Sequence, residues 1–376
     1  MSRTIVGLND PKAVKKYSAF LAVDTAVKSY WDSTMTGVGE NAHTPVQMLT
    51  DLSKQRGDSM SFDLVMQLRQ MYTEGDDTMA GNEEEIRYYS DSLLVNQMRH
   101  GMNSGGKMSQ QRTIHDLRKT GRQRVSDYIA RVKDELHFVY ASGARGVNAD
   151  YILPPSFTSF AGNALSPVNS ATDPEHIMWG GAATGSAGIL GTSQQFDVDL
   201  LNRIYARANT VGGGVQSIPS LEPCKINGED HHVVLMHTYQ DYALRNQTGV
   251  GGWADVQKTL VMKMGTDSPL YNGSQGVWNG LILKKHRKVV RFSNYGGGAV
   301  SAARALVLGR QALVCAYAGE GSDSKYQFWE DTEDRGNIYV AGFESIFGVK
   351  KTQFTIDGVA RDFGVIAVDT YIPASI

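Results

Sequence analysis

The sequence predicts an α+β fold organised around one long helix. Three observations carry this. Ile114, Leu117, Gly121, Val125, Ile129, Val132, Leu136 and Val139 recur at intervals of three or four residues, one apolar stripe along a helix. The run "DSMSFDLVMQLR" alternates Met60, Phe62, Leu64, Met66 and Leu68 with Ser61, Asp63, Val65, Gln67 and Arg69, the period of a strand with one apolar face. Glycines grouped at 212–214, 249–252 and 296–298 break the second half into short segments of strand or helix length.

The elements follow in order. Residues 1–56 read as an extended arm with one helix in "DPKAVKKYSAFLAVDTAVKSYW". Residues 57–112 read as a long β-hairpin: the alternating strand, an acidic tip "TEGDDTMAGNEEE", and a return strand in "IRYYSDSLLVNQMRH". A lone two-stranded hairpin is marginal in water. Its apolar face therefore needs a covering surface, from the same chain or from a neighbour.

The long helix is expected over 113–141, about 40 Å. Thr113 and Asp116 open it with capping-box spacing, and Gly143 stops it. Its polar face carries Arg118, Lys119, Arg122, Arg124, Arg131 and Lys133, a basic ridge facing solvent or a partner. Residues 146–195 are rich in Gly, Ala, Ser and Pro, and a loop that long is functional or held by a neighbour. "FDVDLLNRIYARANT" sets Phe196, Leu200, Ile204 and Ala208 four apart, a short amphipathic helix. "CKINGEDHHVVLMH" reads as strand, Asn227-Gly228 turn, strand. "YQDYALRN" and "WADVQKTLVMKM" are helical candidates, and "TQFTIDGVARDFGVIAVDTYI" brings strands to the end.

Composition narrows the function. A net charge of -2 over 376 residues argues against a dedicated nucleic-acid binder, which usually has a strong basic excess. Two cysteines, Cys224 and Cys315, make no disulfide framework and suit reduced core thiols of a cytoplasmically made protein. The first residues lack a charged leader before an apolar core, and "ALVLGRQALVCAYA" is interrupted by Arg310 and too short to span a bilayer. A soluble, non-secreted protein is expected.

Motifs for chemistry are weak. On one strand His231 and His237 lie about 20 Å apart and His231 and His232 point oppositely, so these histidines do not converge on a metal. "GGAATGSA" has the GxxxxG spacing of a phosphate loop, but Ser186 stands where the lysine belongs, and neither a leading strand nor a following helix is evident. There is no GxSxG elbow. Glu83 to Glu85 and the run from Glu330 to Asp334 read as solvated charge. No catalytic residue, cofactor or metal is expected. An enzyme on an α+β fold, and a nucleic-acid binder using the helix ridge with residues 284–291, are the alternatives.

"GLILKKHRKVVRF" concentrates charge: Lys284, Lys285, His286, Arg287, Lys288 and Arg291. A short strand through "GLIL" is expected to break into an exposed turn.

Several longer stretches carry a resemblance. "GNEEEIRYYSDSLLVNQMRHGM" with "KMSQQR" resembles the return strand of an extended loop, and "DYIARVKDELHFVYASGARG" the end of a spine helix. "SPLYNGSQGVWNGLILKKHR" and "ARALVLGRQALVCAYAG" resemble axial-domain segments, and "FGVKKTQFTIDGVARDFGVIAVDT" the closing strands. Jointly, over most of 57–376, the chain resembles the N-four type family of tailed-phage major capsid proteins, with the Hong Kong 97-type fold.

That resemblance implies an N-terminal arm (1–56), an extended loop (57–112), a peripheral domain (113–235) holding the spine helix, an axial domain (236–338) and closing strands of the peripheral domain (339–376). It implies a subunit that assembles as hexamers and pentamers into an icosahedral virion shell around double-stranded DNA, built in the host cytoplasm. The implied partners are other copies, portal and scaffolding proteins, a cement protein and weakly held DNA, with no membrane. Scaffolding is expected from a separate protein, because no cleavable leader precedes the arm. Met60, Phe62, Leu64, Met66 and Leu68 are then expected to pack over an adjacent subunit. Lys284, Lys285, Arg287, Lys288 and Arg291 are expected to find their counter-charge in Glu330, Asp331, Glu333 and Asp334, in the same or a neighbouring subunit. A weak DNA-facing patch is the second reading of those cations.

Overall fold

A computed structural model describes residues 24–25, 27–39, 42–50, 57–113, 116–168, 171–213, 217–226, 228–247, 276–318 and 325–373. The expected helix in "WADVQKTLVMKM", and most of the helix expected in the arm, lie outside these residues.

In chain order, α1 is Tyr30–Thr34, followed by β1 (Thr36–Val38) and β2 (Val46–Leu49). The hairpin strands are β3 (Ser59–Val65) and β4 (Tyr88–Leu94); β5 (Asn96–Gly106) then leads into α2 (Lys107–Arg112) and α3 (Leu117–Ser142). Short strands β6 (Ser159–Phe160), β7 (Asn163–Ala164) and β8 (Ile177–Trp179) precede α4 (Val198–Thr210). Next come β9 (Cys224–Ile226), β10 (Glu229–Met236) and α5 (Thr238–Arg245). Strands β11 (Gly276–Trp278), β12 (Leu281–Lys285), β13 (Arg291–Tyr295), β14 (Val300–Leu308), β15 (Leu313–Ala318) and β16 (Gln327–Glu333) follow. The chain closes with β17 (Ile338–Lys351), β18 (Gln353–Ile356), β19 (Val359–Asp362) and β20 (Val365–Tyr371).

Two sheets organise these elements. The first runs β1-β2-β15-β17-β16, with β5 also paired to β17. The second runs β11-β12-β10-β14-β20-β8, with β13 on β14 and β9 on β10. The long helix α3 lays Val125, Ile129, Val132 and Leu136 against Phe343, Phe347 and Val349 of the first sheet. The shorter α4 lays Leu200, Leu201, Ile204 and Ala208 against Val234, Met236, Leu281 and Ile366 of the second. Both apolar stripes fall where the helical period puts them.

Helix α3 begins later than its stripe suggests. Asp116 is its cap, its carboxylate accepting from Lys119 N at 3.1 Å, so the capping-box reading with Thr113 as cap is corrected. Gly143 ends it as expected, at φ +67. The basic ridge also needs correction. Lys119, Arg124 and Arg131 are exposed, but Lys133 is fully buried, its ammonium donating to Asp32 at 2.6 Å. Asp134, also buried, accepts from Ser29 Oγ at 2.8 Å and Tyr30 N at 3.1 Å. Residues 29–32 thus pack on the second half of the helix, and Trp31 is wholly enclosed there.

One further expectation changes. A strand, β8, does lead into "GGAATGSA"; it is only three residues long, and its register comes from pairing with β20. The loop starts in close contact with its neighbour: a Cβ at Gly180 would lie 2.2 Å from Gln194 O. Within 339–376, β17 belongs to the first sheet and β20 to the second.

Candidate assembly surfaces

The hairpin forms as expected, with Ser59 opposite Leu94 and Val65 opposite Tyr88. Its five apolar residues have three different fates. Met60 is buried with Leu49, Leu93, Val95, Val314 and Ala316, so it is part of this chain's own core. Phe62, Leu64 and Met66, with Tyr89 of β4, lie half-buried over Phe354, Ile356 and Phe363. Phe62 meets Phe354 edge to face at 5.8 Å between ring centroids. The cover for the hairpin root is therefore the β18–β19 ribbon of the same chain. Only Leu68 keeps the exposure expected of an intersubunit residue, at 61%. Around and beyond it Met71, Tyr72, Ile86 and Tyr88 are exposed as well, so the outer half of the hairpin offers apolar surface that the described residues leave uncovered.

The basic segment is also handled internally. Strand β12 runs on through Lys285 before the chain turns at 286–290. That turn is largely buried, contrary to expectation: Lys288, Val289 and Val290 are enclosed and only Arg287 projects. Lys285 pairs with Asp241 at 3.1 Å, Arg287 with Asp150 at 3.7 Å, and Lys288 with Glu135 at 3.3 Å. Lys288 also donates to Arg131 O at 3.0 Å. Arg291 lies over the Tyr239 ring at 5.3 Å. Burial pulls the Lys284 and Lys288 ammonium pKa values below the usual lysine range. His286 sits between Tyr30 at 4.6 Å and Phe138 at 4.8 Å, and burial with the nearby cations pushes it down to about 4.

The acidic run is not the counter-charge within the subunit. Glu330 is buried and accepts from Arg122 Nε at 3.0 Å, while Asp331, Glu333 and Asp334 are exposed. Asp241 and Asp150 were missed because they lie 44 and 137 positions from their cations, with no periodicity to link them. The pairing is testable. Lys285→Glu is expected to lower stability by up to about 1 kcal/mol, since the lysine is more than a third exposed. Asp241 is also held by Arg245 at 3.1 Å, so the pair is read from a double-mutant cycle in thermal melts: Lys285→Glu couples to Asp241→Asn and not to Asp331→Asn.

The other candidate chemistry resolves as structure. His237 caps α5, its Nδ1 accepting from Tyr239 N at 3.1 Å. Among the described residues no group of three His, Cys, Asp or Glu side chains is placed to hold a metal. Burial raises the Cys224 thiol to about 12 and the Cys315 thiol to about 11, so both are poor nucleophiles. No helix among the described residues is long and apolar enough to cross a membrane.

Residues 5–374 match the phage capsid protein family. The chain belongs to that family. The capsid protein is 25% identical over 350 residues to the major capsid protein of Pseudomonas phage KPP25, covering 88% of each chain. It is 39% identical to the capsid of Ralstonia phage GP4 over the whole of both chains, with a TM-score of 0.82. The cyanophage Pam1 capsid shares its fold at a TM-score of 0.69 and 17% identity, covering 90% of this chain and 91% of that one. This is a phage major capsid protein with the Hong Kong 97-type fold, a virion component that self-assembles into a shell. Neither the enzyme nor the nucleic-acid-binding alternative finds support.

Proposed function

We propose that this capsid protein forms hexameric and pentameric capsomers that close into an icosahedral shell around the double-stranded DNA genome of a tailed phage. The observation that carries the reading is the full-length similarity to the Ralstonia phage GP4 capsid. The uncovered apolar outer half of the hairpin supports it, since a second subunit would cover that surface. In this reading 1–56 is the arm, 57–112 the extended loop, and the two sheets are the cores of the peripheral and axial domains. The subunit's role is structural rather than catalytic.

Contact with packaged DNA is weak and non-specific. Phosphate contacts add up quickly in affinity, and here Lys285, Arg287 and Lys288 are already paired with carboxylates of their own chain. Scaffolding and portal proteins act during assembly in the host cytoplasm, and a cement protein is a further candidate partner. Electron microscopy of the recombinant protein, alone and with the scaffolding protein of its phage, tests the reading. Regular shells or capsomer rings are expected. A monodisperse monomer under every condition would overturn it.

A further inference from the structure

Strands β5, β17 and β16 form a three-stranded tongue in the first sheet. Residues 338–344 of β17 pair with β16 on one side and with β5 on the other. Among the described residues neither β5 nor β16 has a strand on its outer side, so the tongue presents two open edges.

The edges carry opposite charge. Strand β16 and the turn after it expose Asp331, Glu333 and Asp334 beside a single cation, Arg335. Among the described residues Asp331 and Asp334 accept only locally, from Thr332 N at 2.7 Å and Asn337 Nδ2 at 3.1 Å. On the other side β5 runs directly into α2, where Lys107 and Arg112 are exposed, and Lys119 is exposed in the first turn of α3. Among the described residues none of these six side chains has an opposite charge within 4 Å. Their immediate neighbours differ: Arg122 pairs with Glu330, and Arg124 with Asp127.

We propose that the β16 edge of one subunit docks head to tail on the β5–α2 edge of a second copy, Asp331, Glu333 and Asp334 meeting Lys107, Arg112 and Lys119. The inference rests on the shell reading and adds which surfaces meet. Charge on an edge strand ordinarily discourages edge pairing. Here acid on β16 repels another β16 and attracts β5. A contact between two different surfaces, repeated around an axis, closes into rings.

Two exposed double variants test this: Asp331→Lys with Glu333→Lys, and Lys107→Glu with Arg112→Glu. Each keeps the wild-type thermal melt, because the altered residues lie on the surface. Each alone presents like charges at every edge contact, and its yield of capsomers and shells falls by about tenfold or more. Mixed in equal amounts, the two variants regain complementary edges, and association in sedimentation velocity is restored. A change confined to one subunit gives no such rescue in trans. The proposal is overturned if either variant alone assembles like the wild type, or if the mixture associates no better than its components. If even the wild type forms no shells, the shell reading fails, and the mixture's association relative to each variant alone still decides the edge contact.

Discussion

Asp32→Ala is expected to destabilise the subunit by about 3–5 kcal/mol, the usual cost of breaking one side of a buried ion pair. The Lys133 side chain is 2% exposed and that of Asp32 9%. Burial opposes the lysine's charge, but Tyr326 and Asp32 beside it hold its pKa above the usual lysine range. The Tyr317 and Phe347 rings lie 5.0 and 5.9 Å from its nitrogen. Removing Asp32 therefore leaves a cation among aromatic side chains, far from solvent. Urea denaturation followed by tryptophan fluorescence measures the loss. Asp32→Leu combined with Lys133→Met is the control, and it should lie much nearer the wild type, because an apolar pair of similar volume often replaces a buried ion pair without loss. If Asp32→Ala costs less than about 1 kcal/mol, water or another anion reaches Lys133 and the enclosure described above is wrong.

This pair also shows where sequence reading stops. The stripe on α3 was legible because helical periodicity is local: Val125, Ile129, Val132 and Leu136 announce one buried face. Lys133 falls off that stripe, and a lysine off the stripe reads as solvent-facing. Its burial depends on Asp32, 101 positions earlier, in a segment with no clear pattern of its own. The hairpin register was legible for the same local reason, and so were the antiparallel pairing of β9 with β10 and the apolar face of α4. The strand before "GGAATGSA" was not, because three residues are too few to show alternation. The assembly surfaces divide likewise. Sequence alternation marked Met60, Phe62, Leu64 and Met66 as needing cover, and long-range topology decided that β15 and the β18–β19 ribbon supply most of it.

That division sets the second large effect, at Phe354. Phe354→Ala should remove about 3–5 kcal/mol of packing at the hairpin root. The ring is 3% exposed and lies edge to face with Phe62 at 5.8 Å and Phe363 at 5.9 Å. The loss should be local. A two-stranded ribbon has little stability of its own, so β3 and β4 should lose protection in hydrogen exchange while β14 and β20, at the centre of the second sheet, keep theirs. Shell yield should fall with the hairpin's order. Phe62→Asp with Leu64→Asp should do the same, since both side chains rest on the same ribbon; that pair does not isolate a contact between subunits. Leu68→Ser with Tyr72→Ser does. Those residues are 61% and 72% exposed, so the monomer should change by no more than about 0.5 kcal/mol per site. Any loss of shells then reports a surface supplied by a second copy. Retained β3 and β4 protection in Phe354→Ala would mean that Met60 and its neighbours hold the hairpin alone. Normal shells from the Leu68 and Tyr72 variant would mean that the hairpin tip is not what a neighbouring subunit covers.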